Sequence, residues 1–92
     1  MSTVKFPAVL RANVGGAREV DATGSTIGEA LDQLVGTFPS LRDQLFTEDG
    51  ELNRFVNVYV NGQDVRYLAG LDTPVTTGDE VRLLPAMAGG AG

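Results

Sequence analysis

The run Phe55-Val56-Asn57-Val58-Tyr59-Val60 followed by Asn61-Gly62 constrains this chain more than any other segment. Val56, Val58 and Val60 alternate with Asn57 and Tyr59, the period of a strand with one apolar face. Asn-Gly tolerates positive φ at both central positions of a type I′ turn, so the strand must fold back on itself. Gln63 to Arg66 is the expected short return strand. A lone hairpin does not persist in water, so the rest of the chain must cover its apolar face.

A helix is the natural cover. Thr26 and Glu29 have capping-box spacing, and Ile27, Ala30, Leu31, Leu34, Val35 and Phe38 then recur on one helical face. Gly36 is the expected stop, and Pro39 disfavours continuation. Leu41, Leu45 and Phe46 suggest a short second helical turn, and Thr47 to Asn53 a loop. Ahead of the helix, Val4, Phe6, Ala8 and Leu10 alternate and predict a strand over 4–10, with Pro7 at a non-bonding position. Gly15-Gly16 marks a turn, and Ala17 to Asp21 reads as a second strand. After the hairpin, Leu68 to Thr77 is a connecting loop and Gly78-Asp79 a turn. Glu80 to Leu84 is a final strand that Pro85 ends.

The order strand, strand, helix, strand, short strand, strand is an α+β pattern with one helix over one sheet face. The inward set is Val4, Phe6, Ala8, Leu10, Val20, Val56, Val58, Val60, Val81 and Leu83. Pro7, Val9, Phe55, Tyr59 and Leu84 then point outward. One helix cannot cover both faces, so Phe55, Tyr59 and Leu84 are the expected partner-docking residues. Arg11 and Arg66 flank that face.

Composition narrows function by what is missing. With no Cys, His or Trp there are no disulfides, thiol chemistry, Cys/His metal sites or Ser-His nucleophiles. The chain is therefore expected to carry no catalytic or metal-binding residues of its own and to be no enzyme. A net charge of −5 over 92 residues argues against a nucleic-acid binder and fits a positively charged partner. No apolar run approaches a membrane span, and the first residues do not read as a signal peptide, so a cytoplasmic location is expected. Lys5, the sole lysine, reads as a solvated strand residue. Residues 1–85 are expected to form one domain. In the tail 86–92, Pro85 is followed by Ala86-Met87-Ala88-Gly89-Gly90-Ala91-Gly92. Only Met87 there is larger than methyl, which predicts a mobile tail able to thread a narrow site.

The ordered set of Thr26-Ile27-Gly28-Glu29-Ala30-Leu31, Val56-Asn57-Val58-Tyr59-Val60-Asn61-Gly62, Asp64-Val65-Arg66, Gly78-Asp79-Glu80-Val81 and Leu84-Pro85 leading to Gly89-Gly90 resembles the ThiS/MoaD family of ubiquitin-like sulfur carriers. Phe55-Val56-Asn57, Asn61 with Asp64-Val65-Arg66, and a length greater than that of a typical ThiS are most similar to its CysO branch. The resemblance implies a β-grasp fold, a mixed sheet of about four to five strands on one main helix. It implies a ThiF/MoeB-type, E1-like adenylating partner that uses ATP and magnesium, while the carrier itself binds no cofactor. Gly90 would become an acyl-adenylate and then a thiocarboxylate, with Ala88 and Gly89 lining the threaded tail. The CysO branch further implies sulfur transfer to a pyridoxal-phosphate cysteine synthase and a zinc JAMM-type protease as partners.

Reactive members of the family end at the second glycine, whereas here Ala91-Gly92 follow. Three readings stand: a protease removes Ala91 and Gly92, Gly92 is itself the reactive end, or the two residues are no part of the natural chain. Other acceptors within the family are a molybdopterin synthase, in which the chain would be the small subunit, and thiamine or natural-product enzymes. A covalent protein modifier and a plain β-grasp binding module are the alternatives of another class.

Overall fold

The computed structural model describes residues 1–85. The expectations for Ala88, Gly89, Gly90, Ala91 and Gly92, and for the tail as a whole, lie outside the described residues.

Five strands form one mixed sheet: β1 (Ser2–Lys5), β2 (Glu19–Ala22), β3 (Val56–Val60), β4 (Gln63–Asp64) and β5 (Glu80–Pro85), in the spatial order β2-β1-β5-β3-β4. Between them run α1 (Ala8–Arg11), α2 (Ile27–Thr37) and α3 (Arg42–Leu45). The pairing of β1 with β5 is parallel and all others are antiparallel. A parallel pair needs a long crossover, and the chain between β1 and β5 supplies α2 as the cover of one face. This is the α+β, β-grasp architecture expected from the sequence.

The hairpin forms as the sequence dictates. Asn61 has φ 50° and Gly62 φ 88°, the two positive values of a type I′ turn. Val56, Val58 and Val60 are buried, and Val58 faces Leu83 and Val60 faces Val81 on the adjoining strand. The α2 start also forms as expected. The Thr26 hydroxyl accepts from the Glu29 backbone N–H at 3.2 Å, while the Glu29 carboxylate accepts from the Ser25 N–H at 2.7 Å. Ile27, Ala30, Leu31, Leu34 and Val35 are buried along the stripe.

Several local expectations are corrected. The strand over 4–10 ends at Lys5, because Pro7 removes a ladder donor and α1 begins at Ala8. Phe6, Leu10 and Val14 are four residues apart and all buried, so the core uses a helical period where the alternation suggested a strand. Ala8 is consequently exposed rather than inward, and Val9 points to solvent from a helical turn rather than from the sheet. The second strand lies two residues later at its start and one at its end, Glu19–Ala22. α2 passes through Gly36 to Thr37 and stops where Pro39 follows the extended Phe38. The return strand is only Gln63–Asp64, since Asp64 Oδ1 accepts from the Arg66 N–H at 2.8 Å and turns the chain into a 3-10 turn over Val65–Tyr67.

Val65 and Val75 close the core from the connection between β4 and β5. That connection is tied to the helix start by Ile27 N–H to Thr73 O at 2.9 Å and Val75 N–H to Ser25 O at 3.0 Å. Gly24 permits a second close approach, of the link after β2 to the first turn of α2. At φ +130°, an added Cβ would lie 2.8 Å from the Ala30 backbone nitrogen.

Candidate functional site: the open sheet face and the start of the tail

The face of the sheet opposite α2 has no helix over it among the described residues. Register places Lys5 beside Arg82, Arg82 beside Tyr59, and Leu84 beside Asn57. Thus β1, β5 and β3 contribute one continuous outward surface, with β5 in the middle. Tyr59 is half-buried and Leu84 is 38% exposed. Together with Asn61, Gly62, Glu80 and Arg82 they line a shallow depression.

Charge on this face is organised around Glu80. Its carboxylate meets Arg82 at 3.0 Å and Lys5 at 3.3 Å. Hydrogen bonding from Arg82, then from Lys5, holds the Glu80 carboxyl below its ordinary range. At the upper edge, Asp79 accepts from the Thr76 N–H at 2.8 Å and from the Asn61 amide at 3.1 Å. These bonds, the Thr76 backbone first, hold the Asp79 carboxyl low. Asn61 Oδ1 accepts in turn from the Glu80 N–H at 3.0 Å, so the hairpin turn and the turn into β5 are one hydrogen-bonded unit. Lys5, expected as a solvated strand residue, is on the strand and half-buried with an ion-pair partner.

The three docking candidates divide. Tyr59 and Leu84 share the open face. Phe55 lies one residue before β3 rather than on it, and is 54% exposed. It borders a groove of about 190 Å³ with Val9, Leu10, Gln44, Asn53, Val56 and Pro85. Val56 and Pro85 are register partners, so Phe55 stands where the chain leaves β5 toward Ala86. Of the two arginines, Arg11 donates through Nε to Phe6 O at 3.1 Å.

Arg66 carries a positioning role that composition did not reveal. Its guanidinium reaches Asn57 Oδ1 at 2.8 Å, Val56 O at 2.8 Å and Asn53 O at 3.0 Å. It therefore fastens the Val65–Tyr67 turn to the start of β3, beside Phe55. Phe55 itself is oriented by its N–H to Asn53 Oδ1 at 2.9 Å. The Asp64-Val65-Arg66 motif held the signal, because the Asp64 turn is what aims Arg66 back across β3.

Tyr59 and Leu84 are thus left accessible on the open face, on strands that end at Val60 and Pro85. The sequence profile of the ThiS family matches residues 4–90. The chain belongs to the ThiS family. It is 42% identical over 90 residues to the sulfur carrier protein CysO of Mycobacterium tuberculosis H37Rv, covering 96% of this chain and 97% of that one. It is 43% identical over 82 residues to small archaeal modifier protein 1 of Haloferax volcanii, covering 86% and 90%. Its fold superposes with TM-score 0.89 on a chain of the crystal structure of the Amycolatopsis orientalis BexX/CysO complex, at 40% identity, covering 97% and 99%. The protein is a sulfur carrier of the CysO type. Among those residues no helix is long and apolar enough to cross a membrane.

Proposed function

We propose that the protein carries sulfur as a thiocarboxylate on Gly90 and delivers it to a biosynthetic enzyme, a cysteine synthase in the first instance. The observation that carries this reading is the similarity to a CysO protein along nearly the whole chain, together with a family match that runs to Gly90.

The chemistry asks little of the carrier. A carboxylate is a poor electrophile, so an E1-like adenylating partner of the ThiF/MoeB type binds the tail with MgATP. Removal of Ala91 and Gly92, by a JAMM-type zinc protease in this reading, exposes the Gly90 carboxylate. That carboxylate attacks the α-phosphate, pyrophosphate leaves, and the acyl-adenylate forms. A sulfur donor displaces AMP and leaves the thiocarboxylate, a nucleophile tethered to its carrier. Gly89 and Ala88 let the tail pass between close walls. Tyr59 and Leu84 dock the body, and Phe55 flanks the tail where it emerges. Every catalytic group, the ATP and the magnesium belong to the partners.

The test is ATP–pyrophosphate exchange by the adenylating partner. A chain ending at Gly90 supports exchange, and one lacking Gly89 and Gly90 does not. Exchange that is indifferent to the two glycines overturns the assignment. The similarity to an archaeal modifier favours a second reading, in which Gly90 is joined to lysines of other proteins. An isopeptide-linked adduct in cells, with no thiocarboxylate, would select it.

A further inference from the structure

Four of the seven basic side chains of this acidic protein, Lys5, Arg11, Arg18 and Arg82, line one cleft of about 340 Å³. Three elements bring them together. The parallel register sets Lys5 beside Arg82, and the β1–β2 ladder ends with the Phe6 N–H bonded to Arg18 O at 2.8 Å. α1 then swings Arg11 back over Phe6, whose carbonyl accepts from its Nε. Like charges side by side on neighbouring strands are unfavourable. Glu80 relieves Lys5 and Arg82. For Arg18 and for the terminal nitrogens of Arg11, no side-chain partner occurs among the described residues, in contrast to Arg66, whose terminal nitrogens make three bonds. Two guanidinium groups with donors to spare suit carboxylates, which they can grip bidentately.

The rest of the lining decides which anion. Pro7 and the exposed tip of Leu84 supply apolar contact, while Phe6 and Leu83 are turned into the core, and Glu19 puts one negative charge at the rim. A dense polyanion such as phosphate gains nothing from the apolar contacts, and it cannot space its charge away from Glu19. A peptide that alternates carboxylate and apolar side chains can set its carboxylates on Arg11 and Arg18 and its apolar groups on Pro7 and Leu84. We propose that this cleft receives an acidic, apolar-interspersed segment of a protein partner, through Arg11 and Arg18. It shares Leu84 and Arg82 with the open face, so such a segment extends the docked surface to the β1 edge. The sign of the cleft is opposite to that of the whole chain, so the net charge alone points to the wrong kind of partner for this region. The proposal does not depend on the sulfur chemistry.

The experiment is amide-resolved NMR titration of the full chain with an acetylated, amidated hexapeptide of alternating glutamate and leucine. Inorganic phosphate at matched ionic strength is the parallel arm. Shifts confined to Lys5–Arg11, Arg18–Glu19 and Arg82–Leu84, with an apparent Kd that rises roughly tenfold from low to high salt, are expected. The R11E/R18E variant should lose at least about four-fifths of that response, as two like charges now face the peptide. Should it fail to fold, R11Q/R18Q serves with a smaller loss. A response no stronger than that to phosphate, a response unchanged in either variant, or no response at all overturns the proposal.

Discussion

Leu83 and Leu84 are neighbours on β5, yet Leu83 is sealed beneath α2 and Leu84 stands 38% exposed on the open face. The same alternation divides Val58 from Tyr59 and Val4 from Lys5. One side of the sheet is a packed interior in which each methylene carries stability. The other holds a half-buried aromatic ring, an aliphatic tip and paired charges at the surface. A single strand thus serves stability with every second residue and leaves the rest at the surface, where the proposed docking residues lie, and β5 does both.

Substitutions break this contrast in a graded way. Leu83→Ala should cost about 2–5 kcal/mol, since it removes fully buried methylenes and leaves a cavity. Urea denaturation reads that directly. Gly24→Ala should cost about 2–3 kcal/mol, because φ +130° is strained for alanine and its Cβ meets helix backbone. Thr26→Ala should cost about 1 kcal/mol through loss of the α2 cap. Leu84→Asp or Tyr59→Asp should change stability by about 1 kcal/mol or less, yet weaken binding of the adenylating partner at least about tenfold in calorimetry. Unfolding of either variant would place that residue with the interior and erase the contrast.

The smallest effect is a pH dependence. The folded chain holds the Asp79 carboxyl below its ordinary value of 3.8, so this group stabilises the fold above that value. The contribution disappears as pH falls through the depressed folded value. Asp79→Asn should therefore flatten the acid limb of the stability curve and leave it unchanged in shape near neutrality.

Much of this was legible because it rests on short-range rules. The Val56–Val60 alternation with Asn61-Gly62, and the capped stripe from Ile27, needed only neighbouring residues. The segment from Phe6 to Val14 misled because Phe6, Ala8 and Leu10 fit a strand while Phe6, Leu10 and Val14 fit a helix. Tertiary packing chose the latter. Phe55 was expected on the sheet because it adjoins the valine run, but β3 begins one residue later. The roles of Arg66 and of the basic cleft depend on contacts across turns and on the parallel β1–β5 register. The Asp64 turn is the one local sign of the first, and no local pattern reports the second.

Intact-mass spectrometry of the protein recovered from its own host is the most direct test of the carrier role. A chain ending at Gly90 with one terminal oxygen replaced by sulfur is the expected result. The same exchange on a chain ending at Gly92 would keep the carrier and move the reactive residue. A chain that stays unmodified with adenylating enzyme, MgATP, a sulfur donor and the protease all present would contradict it.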